Sequence, residues 1–592
     1  MGNRRGCSFP LPPSLSLLRL LAAAWLVLLL LLPSPAVAAR IDDAQAAVLV
    51  ECAAAWGRTF RGWRVGGECS TAQFISCDGA GLVTAMKLDG RGLVGSIPTA
   101  LGTLTSLTAL NLCCNSLYGP IPASFSGLAS LAYLDLQYNA LNESIPDAIS
   151  LMTALTSLYL SSNQLSGAIP PAIGALTSLQ QLYLPQNKLS ESIPTEMGNL
   201  LELQSLFLDY NWVAGTIPDA LSALTNLNHL SMAGNQLEGA LPDFLTSFVA
   251  LTQLYLNSNL LSGSIPAFIG NCVALEVLSL SDNWLTGEMP MSIGALTNLR
   301  RINLYNNQLH GSIPSTIGQL EQLSWLSLAD NSLTADLDDL TPLGNLVGLL
   351  LSGNAISGSI PTTIRELFSL QTLDVSNNML TGIIPSTISG LIHLTSLMLY
   401  QNKLESPVPQ GLSALTALKL IDLHNNKFSE ALPPAFTKMK RAEYMQLGHN
   451  NFTGSIPASI SSLQSLTYLD LSFTFLAGTI PTAISKMQRL SRLYLHISTL
   501  SGTIPPTMGS MLNLQYLYVH PTATPCGAGR CEVVQYSGTA FCRACTNFCD
   551  TCTKVARAPP ECKKKRRPCS SKSCPGRICI PFIRSCKGFK CI

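Results

Sequence analysis

The chain has 592 residues, of which 47% are apolar and only 12% charged, a low charge fraction for a soluble protein. Its formal net charge of +2 hides three unlike parts: residues 1–40 hold four arginines and no acid, residues 41–552 hold 20 Lys and Arg against 33 acids, and residues 553–592 hold 12 basic residues against one acid. An acidic body excludes the broad cationic surface that nucleic-acid binding demands, and length alone would suggest several domains.

Arg4 and Arg5 precede an apolar run from Leu20 to Leu32, followed by the small-residue stretch Pro33 to Ala39, PSPAVAA. This order predicts a secretory signal peptide over residues 1–39. Thirteen apolar residues fall short of the roughly 20 needed to span a bilayer, and an uncleaved N-terminal anchor is the alternative. Residues 40–81 form a second segment. Ala46 to Trp56, AAVLVECAAAW, has helical periodicity, and Trp63, Cys69 and Cys77 follow it.

From residue 82 to 520 one pattern dominates. Leu155 to Pro170 reads LTSLYLSSNQLSGAIP, and near-copies stand at Leu131 to Pro146 and Leu251 to Pro266. The asparagine of this unit recurs fifteen times from Asn115 to Asn450, stepping by 24 except for one 23-residue step between Asn331 and Asn354. Alternating apolar residues in LxxLxL predict a short strand with Leu158 and Leu160 inward and Tyr159 outward. One unit cannot bury its own leucines, so neighbours stack into a solenoid with a continuous core. The asparagine amide both donates and accepts, which suits a ladder that satisfies backbone groups at a tight bend. Gly167 suits a tight approach or a positive φ, and Ile169-Pro170 an extended return. Nineteen strands at about 4.8 Å make a curved rod about 85–90 Å long.

The pattern LxxLxLxxNxLxGxIPxxIGxL resembles the leucine-rich repeat in its plant-type form. The resemblance implies an α/β-class leucine-rich repeat solenoid: a right-handed superhelix with a concave parallel sheet, an N-terminal cap over 40–81 and a cysteine-rich C-terminal cap. Plant caps of this kind carry a helix, tryptophans and a cysteine pair, which implies a Cys69–Cys77 disulfide. Cys52, Cys113 and Cys114 stay unassigned, and Cys272 reads as a buried thiol. In the irregular unit after Asn331, Asp336, Asp338 and Asp339 cluster; a relaxed loop is expected, with a calcium site as the alternative. Thr474 and Ser498 replace the asparagine in the last units.

Twelve of the nineteen cysteines lie after Pro521. Cys526, Cys531, Cys542, Cys545, Cys549 and Cys552 fall in a predicted cap over 521–552, and six more in a basic tail over 553–592 interleaved with Lys563 to Arg567, KKKRR. In an oxidising compartment such density means disulfides, zinc being the alternative. The basic run reads as a solvated segment, a contact with anionic polysaccharide or lipid, or a processing site. Asn142 (NES) and Asn451 (NFT) are glycosylation acceptors.

Outward strand positions are where such a scaffold is free to vary. They supply the candidate ligand-binding residues: Tyr133, Tyr159, Tyr183, Phe207, Tyr210 and Tyr255 toward the N-terminus, Arg301, Tyr305 and Trp325 in the middle, and Tyr494, His496, Tyr518 and His520 at the far end. Aromatic side chains give large contact area at little entropy cost, although tyrosine is also a good strand residue. His496 and His520 share a column, which reads as an acid-sensitive contact, a weak metal site or two exposed histidines. Arg300 and Arg301 form a cationic spot; the resemblance implies that such spots meet acidic groups of peptide ligands. No kinase, esterase, zinc-protease or P-loop motif occurs, so a non-enzymatic protein with no cofactor or metal is expected.

The resemblance to ectodomains of plant receptor-like kinases and receptor-like proteins implies a secreted, apoplastic binding protein. Its partners would be an extracellular protein or peptide and a co-receptor kinase. Two alternatives remain: a cell-wall protein similar to polygalacturonase inhibitors, its tail on acidic polysaccharide, or the ectodomain of a truncated receptor-like kinase.

Overall fold

The computed structural model describes residues 39–519 and the short strand Val534–Gln535. The predicted signal segment up to residue 38, His520, the cysteines beyond Pro521 and the basic tail lie outside the described residues.

The cap comes first. Asp42 accepts the N–H groups of Ala44 and Gln45, both at 3.1 Å, and starts a helix over Asp43–Ala55. The helix begins three residues before the expected start because this side-chain cap satisfies two otherwise orphaned donors. It buries Ala46, Leu49, Cys52 and Ala53, and Trp56 sends its indole N–H to the Ser96 carbonyl at 3.0 Å. Cys69 and Cys77 are joined by a disulfide with their Cα atoms 6.1 Å apart.

Behind the cap, one strand per repeat builds a 21-stranded sheet among the described residues. Nineteen strands from Val83–Lys87 to Tyr516–Val519 run parallel and in register, so that Leu158, Leu182, Leu206 and Leu230 stand side by side. Ile75–Cys77 and Val534–Gln535 pair antiparallel at the two ends. Each end strand thereby covers an edge that would otherwise template aggregation. Inward leucines such as Leu158, Leu160 and Leu254 are fully buried. Truncating one to alanine costs about 2–5 kcal/mol.

The asparagine ladder closes each turn. Asn163 donates to the carbonyls of Leu136, Leu160 and Ser161 at 2.9, 3.1 and 3.3 Å, and its own oxygen accepts the Leu141 N–H at 3.0 Å. Each ladder residue thus bonds its own turn and the preceding one, a reach that a single hydroxyl lacks.

Two glycines of the repeat do different work. Gly167 sits at φ +77°, open to glycine without strain. Gly174 has ordinary backbone, but a Cβ there would lie 2.3 Å from the Glu196 carbonyl oxygen, so its absence lets successive convex turns stack. Those turns are one-turn 3-10 helices such as Pro171–Ala175, which follow the extended Ile169-Pro170 pair. Pro170 is extended, at φ −66° and ψ 135°; the helix starts on the next residue.

The short unit after Asn331 is likewise a 3-10 turn, Leu337–Leu340, rather than a relaxed loop. Asp336 caps it by accepting the Asp338 N–H at 3.1 Å, which gives the clustered acid a structural role. Beside it lies an apolar cavity of about 10 Å³, lined by Leu337, Leu349 and Ile364 among others. Among the described residues no group of three or more His, Cys, Asp or Glu is placed to hold a metal, and no helix is long and apolar enough to cross a membrane.

Candidate binding face

Outward residues of the parallel strands line the concave face, and their packing follows from the repeat. A side chain in a given column has its counterpart about 4.8 Å away on the next strand, which is the distance at which aromatic rings stack. Tyr159, Tyr183 and Phe207 share one column, with centroid separations of 4.9 and 4.5 Å, and Tyr133, from the neighbouring column opposite Ser157, reaches Tyr159 at 5.5 Å. His229 extends the row at 6.5 Å from Phe207. Tyr183 and Phe207 lie nearly parallel, at 19°, whereas the other two pairs are tilted by 52° and 43°, so the row offers ring edges, parts of ring faces and hydroxyls. The Tyr133 hydroxyl donates to Asp135 at 3.2 Å, and that of Tyr159 to Gln181.

Burial shifts the protonation of this end. It raises Tyr133, with Asp135 adding to the effect, and it also raises Tyr159, Tyr183 and the carboxyls of Asp135 and Asp209. His229 is lowered by burial, against the pull of Glu276. The shifts keep these phenols and the His229 imidazole neutral.

Not every candidate joins the stack. Ser231 stands between Phe207 and Tyr255 in their column, and Tyr255 lies nearer the field of Arg301. Tyr210 is at the bend before Asn211, at φ +54°, with its ring over Gly234; it belongs to the edge of the face.

In the middle, the Trp325 ring lies over Gly348, where a Cβ would come within 2.4 Å of it. Arg301 stands over the same indole at 5.9 Å, a cation–π distance. Arg300 instead turns to Glu276 at 3.7 Å, so the expected pair of cations is reduced to Arg301. Tyr305 sits at the strand end, its hydroxyl raised chiefly by Asp330.

The C-terminal third carries a wider aromatic pavement. Tyr444 stacks on Tyr468 at 4.3 Å and Tyr494 on Tyr518 at 4.8 Å, and Tyr468 and Tyr494, from neighbouring columns, meet tilted at 5.3 Å. His496 packs against Phe473 at 5.2 Å and Tyr518 at 5.9 Å. Its suggested pairing with His520 lies outside the described residues. Tyr400 on His424 at 4.8 Å and His449 on Phe473 at 3.9 Å complete the surface. His229, Tyr400, His449 and Phe473 were missed in the sequence, although reading every outward column at the 24-residue period would have found them.

Acids on this face cap strand ends. Asp374, Asp422 and Asp470 each accept the N–H two residues on, at 3.0, 3.2 and 2.8 Å, and Asp422 also holds the His424 ring at 2.6 Å. The arrangement positions rings and hydroxyls along the face. Burial, aided by Glu51, pushes the Cys52 thiol up to about 12, and burial raises Cys272, so both are inert apolar fillers. The acceptors Asn142 and Asn451 are exposed just past the ladder.

A parallel sheet closed by an asparagine ladder, with its variable residues on one concave face, defines a solenoid repeat protein whose natural site is a surface. Family models described as leucine rich repeat match residues 105–165, 368–428 and 418–476, and five further single repeats between 178 and 320. Among solved structures the chain is similar to the plant peptide hormone receptor RGFR1 in complex with RGF2, with 33% identity, a TM-score of 0.70 and coverage of 75% of each chain. It is similar to the Arabidopsis receptor kinase HAESA in complex with the peptide hormone IDA and the co-receptor SERK1, with 30% identity, a TM-score of 0.65 and coverage of 80% of this chain and 89% of that one. The ectodomain of GASSHO1/SCHENGEN3 from Arabidopsis thaliana, in complex with CASPARIAN STRIP INTEGRITY FACTOR 2, gives 31%, 0.66, 80% and 64%. No curated protein sequence matches. The chain belongs to the leucine-rich repeat family, in the plant type of receptor ectodomains.

Proposed function

We propose that this is a secreted, non-catalytic receptor-like protein that binds an extended peptide on its concave face, together with a co-receptor kinase. The observation that carries the reading is the aromatic stack from Tyr133 to Phe207 on the inner face. The peptide-bound state of the similar ectodomains supports it, and the Cys69–Cys77 disulfide agrees with an oxidising compartment. Eight strand spacings separate Tyr133 from Trp325, about 38 Å, a span that about 12 extended residues cover. In this reading the peptide lies along the tyrosine edges and an acidic group meets Arg301. Asn142 and Asn451 carry glycans clear of that path. The alternative of a pectin-anchored wall protein rests on the basic tail, which lies outside the described residues.

Synthetic peptides of about 12 residues, screened against the purified chain, test the reading. In the variant combining Tyr159→Ala and Tyr183→Ala, affinity for any captured peptide should fall at least about tenfold with the melting temperature held. Unchanged binding by a folded double variant would remove the stack as the site.

A further inference from the structure

Two tryptophans stand outside the core. Trp212 and Trp284 are 54% and 56% exposed, whereas Trp56 and Trp63 are 2% and 6% exposed. Each follows a ladder asparagine, and its neighbours on both sides, Asn211 and Val213 or Asn283 and Leu285, are buried. Alternation along extended backbone then turns the indole outward, onto the flank where the strands exit. Leu260 holds the same position one repeat before Trp284 and is 46% exposed. Tyr210, its ring over Gly234, closes the patch at the concave edge. At about 4.8 Å per repeat the patch runs about 15 Å along the flank. Exposed Gln236 separates Trp212 from Leu260 in this column, so the apolar surface is an adjacent Leu260–Trp284 pair and a second site at Trp212 and Tyr210, and exposed apolar surface of this kind marks an interaction site.

We infer that this flank is a homodimer interface, occupied by a second copy of the chain turned about a two-fold axis between the units of Gln236 and Leu260. Residues at equal distances from such an axis meet in reciprocal pairs. Trp212 of one copy meets Trp284 of the other, Tyr210 meets Asp282, and Glu238 meets Ser262, so no like charges oppose each other. At the axis Gln236 of one copy meets Leu260 of the other, so the two tryptophan pairs flank a mixed polar and apolar centre. Three half-exposed aromatic side chains and a leucine offer about 400–500 Å² per copy. Two copies bury about 1,000 Å², the lower bound of a specific interface.

Sedimentation velocity on the full chain, from about 1 to about 50 µM, tests the dimer. A monomer–dimer equilibrium within that range is expected. The variant combining Trp212→Glu and Trp284→Glu should raise the dissociation constant at least about 100-fold with an unchanged melting temperature. Leu260→Asn provides a second route, since it creates an Asn-Leu-Ser acceptor whose glycan would wedge the flank apart, and it decides the matter if the double variant fails to fold. A wild-type chain that stays monomeric throughout, or a dimer that survives both changes, overturns the inference.

Discussion

Thr474 donates its hydroxyl to the Leu471 carbonyl at 2.8 Å, and there the asparagine ladder ends. One repeat earlier, Asn450 reaches the carbonyls of Leu423, Leu447 and Gly448 and accepts the Phe428 N–H. A hydroxyl has one proton and cannot span three carbonyls, so the turn at Thr474, although buried, is bonded less completely. Thr474→Asn should restore the missing contacts and stabilise the chain by roughly 1–3 kcal/mol. Chemical denaturation reads this as a higher midpoint with an unchanged slope; a midpoint at or below that of the parent would mean that the last units tolerate the gap.

Gly348→Ala places a methyl group where the Trp325 ring lies. The ring is partly exposed and has room to move, so stability should change by less than about 1 kcal/mol. Trp325 must nonetheless leave its seat, and Arg301 then loses its aromatic support. The expected result is an altered tryptophan emission that Trp325→Phe abolishes, with peptide affinity reduced about fivefold, as loss of a cation–π contact implies. An unchanged spectrum would show that the ring does not depend on the glycine.

Burial raises the Asp209 carboxyl, against the opposing bonds from Ser231 and the Ala233 N–H. A carboxyl raised in the folded state is held neutral where the unfolded chain would ionise. Its contribution is therefore fully present below the ordinary aspartate range and is lost as pH rises through the folded value. Asp209→Asn removes that dependence and keeps an acceptor for the Ala233 N–H. The variant should melt higher than the parent at pH 7 and about equally at pH 3.5. Equal melting at both pH values would show that the charged form is accommodated at no cost.

The period of 24 residues determined the solenoid by itself. Inward leucines, ladder asparagines and the Gly167 turn are set by neighbours within one unit, and the unit recurs often enough to be read without coordinates. The tyrosines of the concave face were legible for the same reason, because a column is a property of the period. Tertiary structure decided the rest. Whether a ring stacks, as Tyr183 does on Phe207, or stands apart, as Tyr255 does, depends on the residue 24 positions away and on the side-chain conformation it leaves open. Arg300 turns to Glu276 while Arg301 covers Trp325, a division that two adjacent identical residues cannot announce. Gly348 reads as a weak strand residue until the indole above it is seen. These choices rest on contacts between adjacent repeats, and the physical reason they escape the sequence is that periodicity fixes which face a side chain occupies but leaves its conformation to the neighbour it meets.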